Sequence, residues 1–270
     1  MLSRELRREV AAALVAAERD RAPIPPLRVT WPDIDVVDAY EIQLLNIRDR
    51  LARGAAVRGH KVGLSSEAMQ QMMGVDEPDY GHLLSDMEVH EGRPVEASRY
   101  CYPRVEMEVA FVLGATLPQA GCTEADVLAA TQFVAPAIEL IDSRIQDWDI
   151  QIADTIADNA SSAGYVLGRE RVEPGDLDLR AIEARLLRST SGGNEEEVAR
   201  GRSDAVLGNP VTAVAWLADK VGTFGVTLEA GHIVLPGSVH RAVDVRPGDE
   251  FVATFDGPAG RFGSVRLSFE

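Results

Sequence analysis

The sequence has little cysteine and no long apolar runs, and each shortage argues against a class of protein. Of its 270 residues only Cys101 and Cys122 are cysteines, and no C-x-x-C pair occurs. Neither a disulfide framework nor a cysteine-rich zinc site is therefore indicated. A helix needs about 18 consecutive apolar residues to span a bilayer, and no stretch approaches that length, so no transmembrane helix is expected.

Positive charge is also scarce. Lysine and arginine total 27 against 43 aspartates and glutamates, which gives a net charge of −16. Nucleic acids and anionic membranes attract positive surfaces, so neither is expected as a partner. Charges flank the short apolar patch near the N-terminus and no small-residue cleavage site follows, so we expect a cytoplasmic protein. An anionic substrate would need a local cation, supplied by a metal ion or a lysine.

Two helices are predicted at the start of the chain. Residues 3–21 carry apolar side chains at helical spacing and begin with Ser3, a good N-cap residue. Residues 35–53 repeat that spacing, and the prolines between the two segments break the helix. We therefore predict an N-terminal helical arm over residues 1–55 and a catalytic domain over residues 56–270.

The rest of the chain is richer in strands than in helices. Alternating or β-branched patterns predict strands over residues 56–64, 104–114 and 133–142, and a hairpin about residues 192–193. One capped helix starts after Asn209. The strands do not alternate with helices in βαβ units. The predicted fold class is therefore α+β, a sheet-dominated mixed roll or barrel.

Other segments have less regular patterns. Residues 74–86 combine proline, glycine and aspartate, which predicts a turn-rich loop, and a short helix is predicted just before it, over residues 67–74. Residues 147–157 have helical spacing. Residues 232–268 predict strands joined as a meander.

A pair of glutamates marks the strand over residues 104–114. Side chains two residues apart share one face of a strand, so Glu106 and Glu108 point the same way with Cα atoms about 6.6 Å apart. A third acid, Glu139, lies in an apolar run that would otherwise be buried. Buried charges must be compensated, and oxygen ligands favour a hard cation such as Mg²⁺ or Mn²⁺. The alternative is an amphipathic strand with solvated glutamates on its outer face.

Two further polar features allow a structural and a functional interpretation. Lys61 lies in the apolar strand over residues 56–64, where it either guards a sheet edge or belongs to a site. Asp154 and Asp158 lie four residues apart and would repel each other on an isolated helix. They form either a solvated face or a placed polar cluster.

Five segments occur in a fixed order: GHKVGLSS, PDYGHL, RVEMEVAFVLG, AIELIDSRI and DTIADNASSAGYVLG. Together they resemble the 2-keto-4-pentenoate hydratase branch of the fumarylacetoacetate hydrolase superfamily, from about residue 59 to the C-terminus. The resemblance implies a mixed β-roll, a Mg²⁺ or Mn²⁺ site and a role in bacterial meta-cleavage pathways for aromatic or steroid rings. It also implies a homo-oligomer, often a pentamer or a decamer.

Carried over by position, the resemblance implies roles for ten residues. The metal ligands would be the carboxylates of Glu106, Glu108 and Glu139. The catalytic residues would be Lys61, Asp79 and Ser161. The substrate-binding residues would be Leu83, Ser162, Gly237 and Ser238.

The chain departs from the family pattern at two positions. Ser65 stands where threonine is commoner and keeps the hydroxyl. His240 follows PGSV, where a small polar residue is expected, in a loop that resembles the one near the substrate's carboxylate or tail.

The Asp147–Trp148 pair is more typical of the hydratases than of the sister 4-oxalocrotonate decarboxylases.

The implied reaction is hydration of 2-hydroxypenta-2,4-dienoate, or a short alkyl homologue, to 4-hydroxy-2-oxopentanoate. We expect Lys61 to move protons, with its pKa lowered by burial beside a cation, and Asp79 to act as its partner or as a base for the attacking water. The alternatives are a 4-oxalocrotonate decarboxylase and a noncatalytic subunit that supports a partner enzyme.

Overall fold

The structure of the chain is a computed structural model. It describes residues 1–66, 70–71, 74–190, 193–258 and 260–270. The short helix predicted over residues 67–74 falls mostly outside the described residues, as does the tip of the hairpin predicted about residues 192–193.

Helices begin the chain and recur between strands. The described residues form α1 (Arg4–Asp20), α2 (Leu27–Thr30), α3 (Val36–Ala52), α4 (Glu124–Ala130), α5 (Ile152–Ala157) and α6 (Pro210–Gly222). The Ser3 side chain accepts a hydrogen bond from the Leu6 amide at the start of α1, and Asp35 caps α3. Both helices predicted at the N-terminus are therefore confirmed.

Eleven strands make up the described sheets. They are β1 (Val57–Gly63), β2 (Asp79–Leu84), β3 (Arg104–Leu113), β4 (Thr131–Ile141), β5 (Ser162–Leu167), β6 (Glu183–Thr190), β7 (Glu196–Arg202), β8 (Ile233–Leu235), β9 (Val243–Asp244), β10 (Asp249–Gly257) and β11 (Gly260–Ser268). The larger sheet has the order β2-β1-β8-β3-β4-β5, with β9 paired to β3. The smaller sheet has the order β11-β10-β6-β7. The predicted α+β, sheet-dominated roll is confirmed.

The two faces of the larger sheet have different surroundings. Residues such as Val105, Met107 and Ile138 belong to the main apolar core, which they share with Phe251 and Phe255 of the smaller sheet. On the opposite face, a small apolar cluster contacts α3 through Ile47. The acidic residues of β3 and β4 lie on this second face, which is called the carboxylate face below.

Helices α1 and α3 pack against the sheet layer. The Gln43 side chain of α3 donates hydrogen bonds to the backbone oxygens of Tyr80 and Ile156, at 3.0 and 2.9 Å. Core residues Val10 and Leu14 of α1 belong to the same apolar cluster as the sheets. The division near residue 55 stays a prediction.

The segment predicted as a turn-rich loop contains a strand instead. β2 (Asp79–Leu84) is buried at every position and pairs antiparallel with β1, with Lys61 opposite Gly81. Pairing with a neighbouring strand satisfies the backbone groups that a loop would present to water. The prediction failed because composition reports turn residues and cannot report a partner that lies elsewhere in the sequence.

Two other local predictions were wrong. The helix predicted over residues 147–157 is interrupted, because Asp147 and Trp148 have φ of 56° and 55° and only α5 remains helical. The predicted C-terminal meander is also divided. β8 lies in the larger sheet between β1 and β3, whereas β10 and β11 form a hairpin in the smaller sheet.

In the described part of the chain, no helix combines the length and the apolar character needed to cross a bilayer.

Candidate active site

The register of β3 and β4 brings three carboxylates together. Glu106 lies directly opposite Glu139 across the antiparallel pair, and Glu108 follows two residues later on the same face. One carboxylate oxygen from each of the three lies within 4.8 Å of the others. The predicted convergence on one point is therefore found. Glu108 and Glu139 are fully buried, while Glu106 is partly exposed and marks the side open to solvent.

These carboxylates lack the hydrogen bonds that buried acids need. Glu108 Oε1 and both oxygens of Glu139 are buried and accept no hydrogen bond from the described residues, and Glu139 has only an ion pair with Lys61. Burial raises the pKa of Glu106 to about 7, against the opposing effect of Lys61. Burial, with Glu139 and Glu106 nearby, raises the pKa of Glu108 well above its ordinary value. Unsatisfied buried oxygens of this kind fit a hard divalent cation, which supplies the missing charge.

Lys61 extends from β1 onto the carboxylate face and is almost fully buried. Its Nζ lies 3.4 Å from Glu139 Oε2 and donates to the backbone oxygen of Ala160 at 2.9 Å. Lys61 is therefore part of the site and does not guard a sheet edge. Burial lowers the pKa of Lys61, but Glu139, Glu106 and Asp79 outweigh burial and raise it above its ordinary value. These acids thus favour the ammonium form of Lys61, and the lowering expected beside a bound cation stays a prediction.

Asp79 reaches the same site because glycine occupies position 63. A methyl group on Gly63 would lie 2.1 Å from Asp79 Oδ1 and 3.5 Å from Lys61 Nζ. Thr155 donates a hydrogen bond to Asp79 Oδ2 at 3.1 Å, whereas Oδ1 has no partner among the described residues. Burial raises the pKa of Asp79, and Lys61 opposes that shift. The carboxyl group is thus held by one oxygen with the other free to interact.

A short left-handed segment carries the serines. Asn159, Ala160 and Ser161 have φ of 56°, 51° and 56°, a conformation that is costly for residues other than glycine. The segment presses on β2 so closely that a methyl group on Gly81 would lie 2.3 Å from the Asn159 oxygen. This conformation directs the Ala160 oxygen at Lys61. Such strain is typical of functional sites.

The remaining predicted residues differ in their surroundings. The Ser161 and Ser162 hydroxyls are buried and have no partner among the described residues. Leu83 lies on the carboxylate face but packs in the apolar cluster with Ile47 and Tyr165. Their predicted contacts with substrate stay predictions.

The loop after β8 also reaches the glutamates. The Gly237 amide donates a hydrogen bond to Glu108 Oε2 at 2.7 Å. Gly237 has a φ of 125°, and a methyl group there would lie 1.9 Å from Ser65 Oγ. The Ser238 hydroxyl donates to the His240 oxygen at 2.8 Å, so its hydroxyl hydrogen is used within the loop.

Several residues that support the site were missed by the sequence analysis. Asn159 accepts from the His82 amide at 2.7 Å and donates to the His82 oxygen at 3.0 Å, which fixes the serine segment on β2. Arg144 and Asp158 form a buried ion pair at the start of that segment. Burial raises the pKa of Asp158 to about 7, and Arg144 opposes the shift. The polar run DNASS was the one available signal.

Asp154 and Asp158 are polar residues held in defined positions inside the protein, and they do not form a solvated helix face. Both are buried. Asp154 accepts hydrogen bonds from the amides of Leu27 and Gln151, at 2.6 and 2.8 Å. Their charges are therefore compensated by separate partners.

Two cavities lie near the N-terminal helices. One of about 40 Å³ is lined by residues of α1, α3 and the serine segment, including Ser162, and one of about 550 Å³ opens beside Arg50 and Asp86. None of the three glutamates is among the described residues that line them. The site is therefore assigned by its chemistry and not by cavity size.

Comparison with known sequences identifies the family. The sequence model of the fumarylacetoacetate (FAA) hydrolase C-terminal family matches residues 52–269. The chain is 43% identical over 264 residues to the 2-keto-4-pentenoate hydratase of Paraburkholderia xenovorans (strain LB400), covering 98% of this chain and 95% of that protein. It is 41% identical over 266 residues to the 2-oxo-hept-4-ene-1,7-dioate hydratase of Escherichia coli, covering 96% of each.

A solved structure supports the same assignment. The 4-oxalocrotonate decarboxylase from Pseudomonas putida G7, complexed with magnesium and adipate, superposes with a TM-score of 0.92 at 34% identity, covering 100% of this chain and 99% of that chain. The resemblance inferred from the ordered motifs is confirmed. With a family match over most of its length and relatives this similar, the chain belongs to the fumarylacetoacetate hydrolase family.

Proposed function

We propose that this chain is a divalent-metal-dependent hydratase that converts 2-hydroxypenta-2,4-dienoate, or a short alkyl homologue, to 4-hydroxy-2-oxopentanoate. The observation that carries the proposal is the cluster of three carboxylates, two of them fully buried, beside Lys61, in a chain whose relatives are named hydratases. The reaction would belong to the meta-cleavage catabolism of aromatic or steroid rings, as the family resemblance implies.

Glu106, Glu108 and Glu139 would hold the ion, as Mg²⁺ or Mn²⁺. When bound, the ion supplies a Lewis acid that stabilises negative charge on the 2-oxygen of a 2-oxo acid. The Gly237 amide fixes one oxygen of Glu108, so that the other faces the cluster. Partly exposed Glu106 leaves the site accessible to substrate from one side.

Lys61 and Asp79 would move the protons. The reaction removes the proton of the 2-hydroxyl and adds one at C5, after which water adds its hydroxyl to C4 and a proton to C3. Neighbouring acids keep Lys61 protonated, so it would be the proton donor; because they also raise its pKa, it holds that proton more tightly than a free lysine does. Asp79, with its free Oδ1 near Lys61, is suited to accept the proton of the attacking water. The Ser161 hydroxyl is available as a further hydrogen-bond donor.

The charge balance favours a substrate with an uncharged tail. In the described part of the chain, the basic groups around the cluster already face acids: Lys61 faces Glu139, Arg104 faces Asp244 and Arg144 faces Asp158. A second carboxylate on the tail, as in a heptenedioate, would find none of these three groups unpaired. A short alkyl tail avoids that cost.

A 4-oxalocrotonate decarboxylase is the second candidate, favoured by the superposition with the Pseudomonas putida G7 enzyme. The hydratase relatives are more similar in sequence, at 43% against 34% identity. A noncatalytic supporting subunit is the third, and the complete set of acids argues against it.

A two-substrate assay tests the proposal. The purified chain is stripped with EDTA and supplied with Mg²⁺, Mn²⁺ or no metal, together with 2-hydroxypenta-2,4-dienoate or 4-oxalocrotonate. We expect metal-dependent formation of 4-hydroxy-2-oxopentanoate and slow or no release of CO₂. Glu106→Gln should abolish activity, whereas Glu183→Gln, at an exposed position of β6, should leave it unchanged. CO₂ release as the main reaction would favour the decarboxylase, and full activity of Glu106→Gln without metal would remove the ion from the mechanism.

We further propose a cytoplasmic homo-oligomer, a pentamer or a decamer. The family resemblance carries this proposal, because the apolar strand residues and most of the AVAWLADKV stretch of α6 are already buried within the chain. Light scattering coupled to size-exclusion chromatography measures the number of chains directly.

A further inference from the structure

His240 lies beside the strand that carries two of the three glutamates. β3 pairs with β9 at residues 104–105 and with β8 at residues 111–112. Between those pairings, on that edge, residues 106–110 have no strand partner within the described chain. The part of β3 that carries the two glutamates therefore has β4 on one edge and no neighbouring strand on the other.

The loop over residues 236–240 takes the place of the missing strand. The Val239 amide donates to the Met107 oxygen at 3.1 Å, and the Met107 amide donates to His240 Nε2 at 2.8 Å. The Gly237 amide donates to the side chain of Glu108. Three hydrogen bonds from one loop thus hold two consecutive residues of β3.

The hydrogen bonds of His240 define its tautomer. Nε2 accepts from the Met107 amide, so it carries no proton, and Nδ1 lies 2.6 Å from the Arg241 oxygen, to which it donates. Both ring nitrogens are used by backbone groups. Neither nitrogen is left to bind a substrate carboxylate.

The loop is held from its other side as well. A methyl group on Gly201 of β7 would lie 1.8 Å from the Val239 oxygen, so the smaller sheet presses on the loop. The Ser238 hydroxyl bridges the amide and the oxygen of His240, at 3.3 and 2.8 Å. The imidazole is therefore anchored on a firmly packed segment.

We propose that His240 is a positioning residue for the metal site: its imidazole replaces a strand at Met107 and fixes Glu106 and Glu108 in the register at which they meet Glu139. The inference rests on the proposed function, because it assumes that the glutamates bind an ion. It accounts for a histidine at a position where the family pattern predicts a small polar residue. It also assigns His240 a role in metal affinity and not in recognition of the substrate tail.

Metal binding by the substrate-free protein tests the inference. The dissociation constant for Mn²⁺ is measured by electron paramagnetic resonance for wild type, His240→Ala, His240→Asn and His240→Gln. Glutamine has an oxygen that reaches about as far as Nε2, whereas asparagine is too short. Loss of a residue that orients metal ligands typically weakens binding about 10-fold or more, so we expect that loss for the alanine and asparagine variants. We expect glutamine to bind Mn²⁺ within about threefold of wild type, because it restores the acceptor.

Two further measurements separate positioning from a general loss of structure. Hydrogen exchange of the peptide that contains Met107 should accelerate in His240→Ala and return toward the wild-type rate in His240→Gln. His90→Ala, which removes an exposed histidine, is the matched control and should change neither exchange nor affinity.

The inference would be overturned if His240→Ala and His240→Asn both kept the wild-type Mn²⁺ affinity and the wild-type hydrogen-exchange rate of the Met107 peptide. If His240→Ala does not fold, the comparison of asparagine with glutamine decides the question, and equal affinities would count against the inference. Wild-type protein that binds no Mn²⁺ would overturn the metal proposal and the inference with it. Wild-type protein that binds Mn²⁺ through a His240-dependent site, yet does not hydrate the dienoate, would overturn the proposed substrate alone.

Discussion

Four acids and one lysine share a buried volume at the start of β3. Glu106, Glu108, Glu139 and Asp79 surround Lys61, and they keep its pKa raised despite burial. One ammonium group cannot balance four carboxylates, so the site either retains protons or takes up a cation. The role of Lys61 and the pH dependence of metal binding both follow from this imbalance.

The first residue-scale prediction concerns Lys61. Lys61→Met keeps the length of the side chain and removes its charge and its proton. We expect kcat to fall about 100-fold or more, the effect of losing a general acid. Mn²⁺ affinity should stay the same or increase, because a positive charge near Glu139 is gone. Lys220→Met, which changes the chain's other lysine at the surface, is the control. If the kcat of Lys61→Met stays within a few-fold of wild type, Lys61 is not the general acid.

The second residue-scale prediction concerns pH. The pKa of Glu106 is raised to about 7, so a proton must leave before its carboxylate binds an ion. Apparent Mn²⁺ affinity should therefore fall as the pH drops through 7, by about 10-fold between pH 8 and pH 6 for one proton. Calorimetry in buffers of different ionisation enthalpy measures the affinity and the protons released. An affinity that is constant over this range would contradict the raised pKa.

At the scale of elements, glycines determine how closely the strands and loops approach the site. Gly63 leaves room for Asp79, Gly81 for the serine segment and Gly237 for Ser65. Gly237 also has a φ of 125°, a conformation that side chains with a Cβ atom rarely adopt. The elements around the site are thus packed so closely that none of these three positions has space for a side chain.

Gly237→Ala is the prediction for this scale. The added methyl group would overlap Ser65 Oγ, and the alanine backbone would be strained at a φ of 125°. Relief of this overlap and strain would displace the residue 237 amide, which holds Glu108. We expect Mn²⁺ affinity to fall about 10-fold, the effect of losing a group that orients a ligand. Gly175→Ala is the matched control, because that glycine has no positive φ and open space around it. Equal Mn²⁺ affinities for the two variants would show that the loop adapts.

At the scale of the whole molecule, the apolar side of the larger sheet buries histidines. The rings of His60 and His82 lie 4.7 Å apart, and both are buried. Burial lowers the pKa of His82 to about 4 and that of His60 well below its ordinary value. A group whose pKa is lower in the folded state binds fewer protons there than in the unfolded chain. Stability is therefore lost as the pH falls from 6.5 toward 4.

His82→Gln tests this contribution. The free energy of unfolding of wild type should drop between pH 7.5 and pH 5 by about 2 kcal/mol more than that of the variant, because a shift from 6.5 to about 4 has that value at pH 5. Chemical denaturation at both pH values gives the difference. His90→Gln, at an exposed histidine, should follow the wild-type curve. Parallel curves for wild type and His82→Gln would contradict the prediction.

Much of the site was predictable because the patterns that indicate it involve residues only a few positions apart in the sequence. Period-two alternation gives the shared face of Glu106 and Glu108, and an acid in an apolar run identifies Glu139. Capping residues gave the starts of α1 and α6. These patterns act over a few residues, so they can be read from the chain alone.

Local patterns failed where a distant partner decides the conformation. β2 is a strand because β1 lies beside it, and β8 joins the larger sheet because β1 and β3 enclose it. The support from Asn159 and His240 was not predictable for the same reason: each bonds backbone groups that lie 77 and 133 residues away, respectively.

The sequence by itself determined the family, the fold class and the three converging glutamates, because ordered motifs, periodicity and acids in apolar runs are properties of the chain. The tertiary structure alone decided that Lys61 is charged, since its pKa depends on four acids from three other strands. It also decided how β3 is held, because a hydrogen bond between Met107 and His240 exists only after the loop has packed between the sheets.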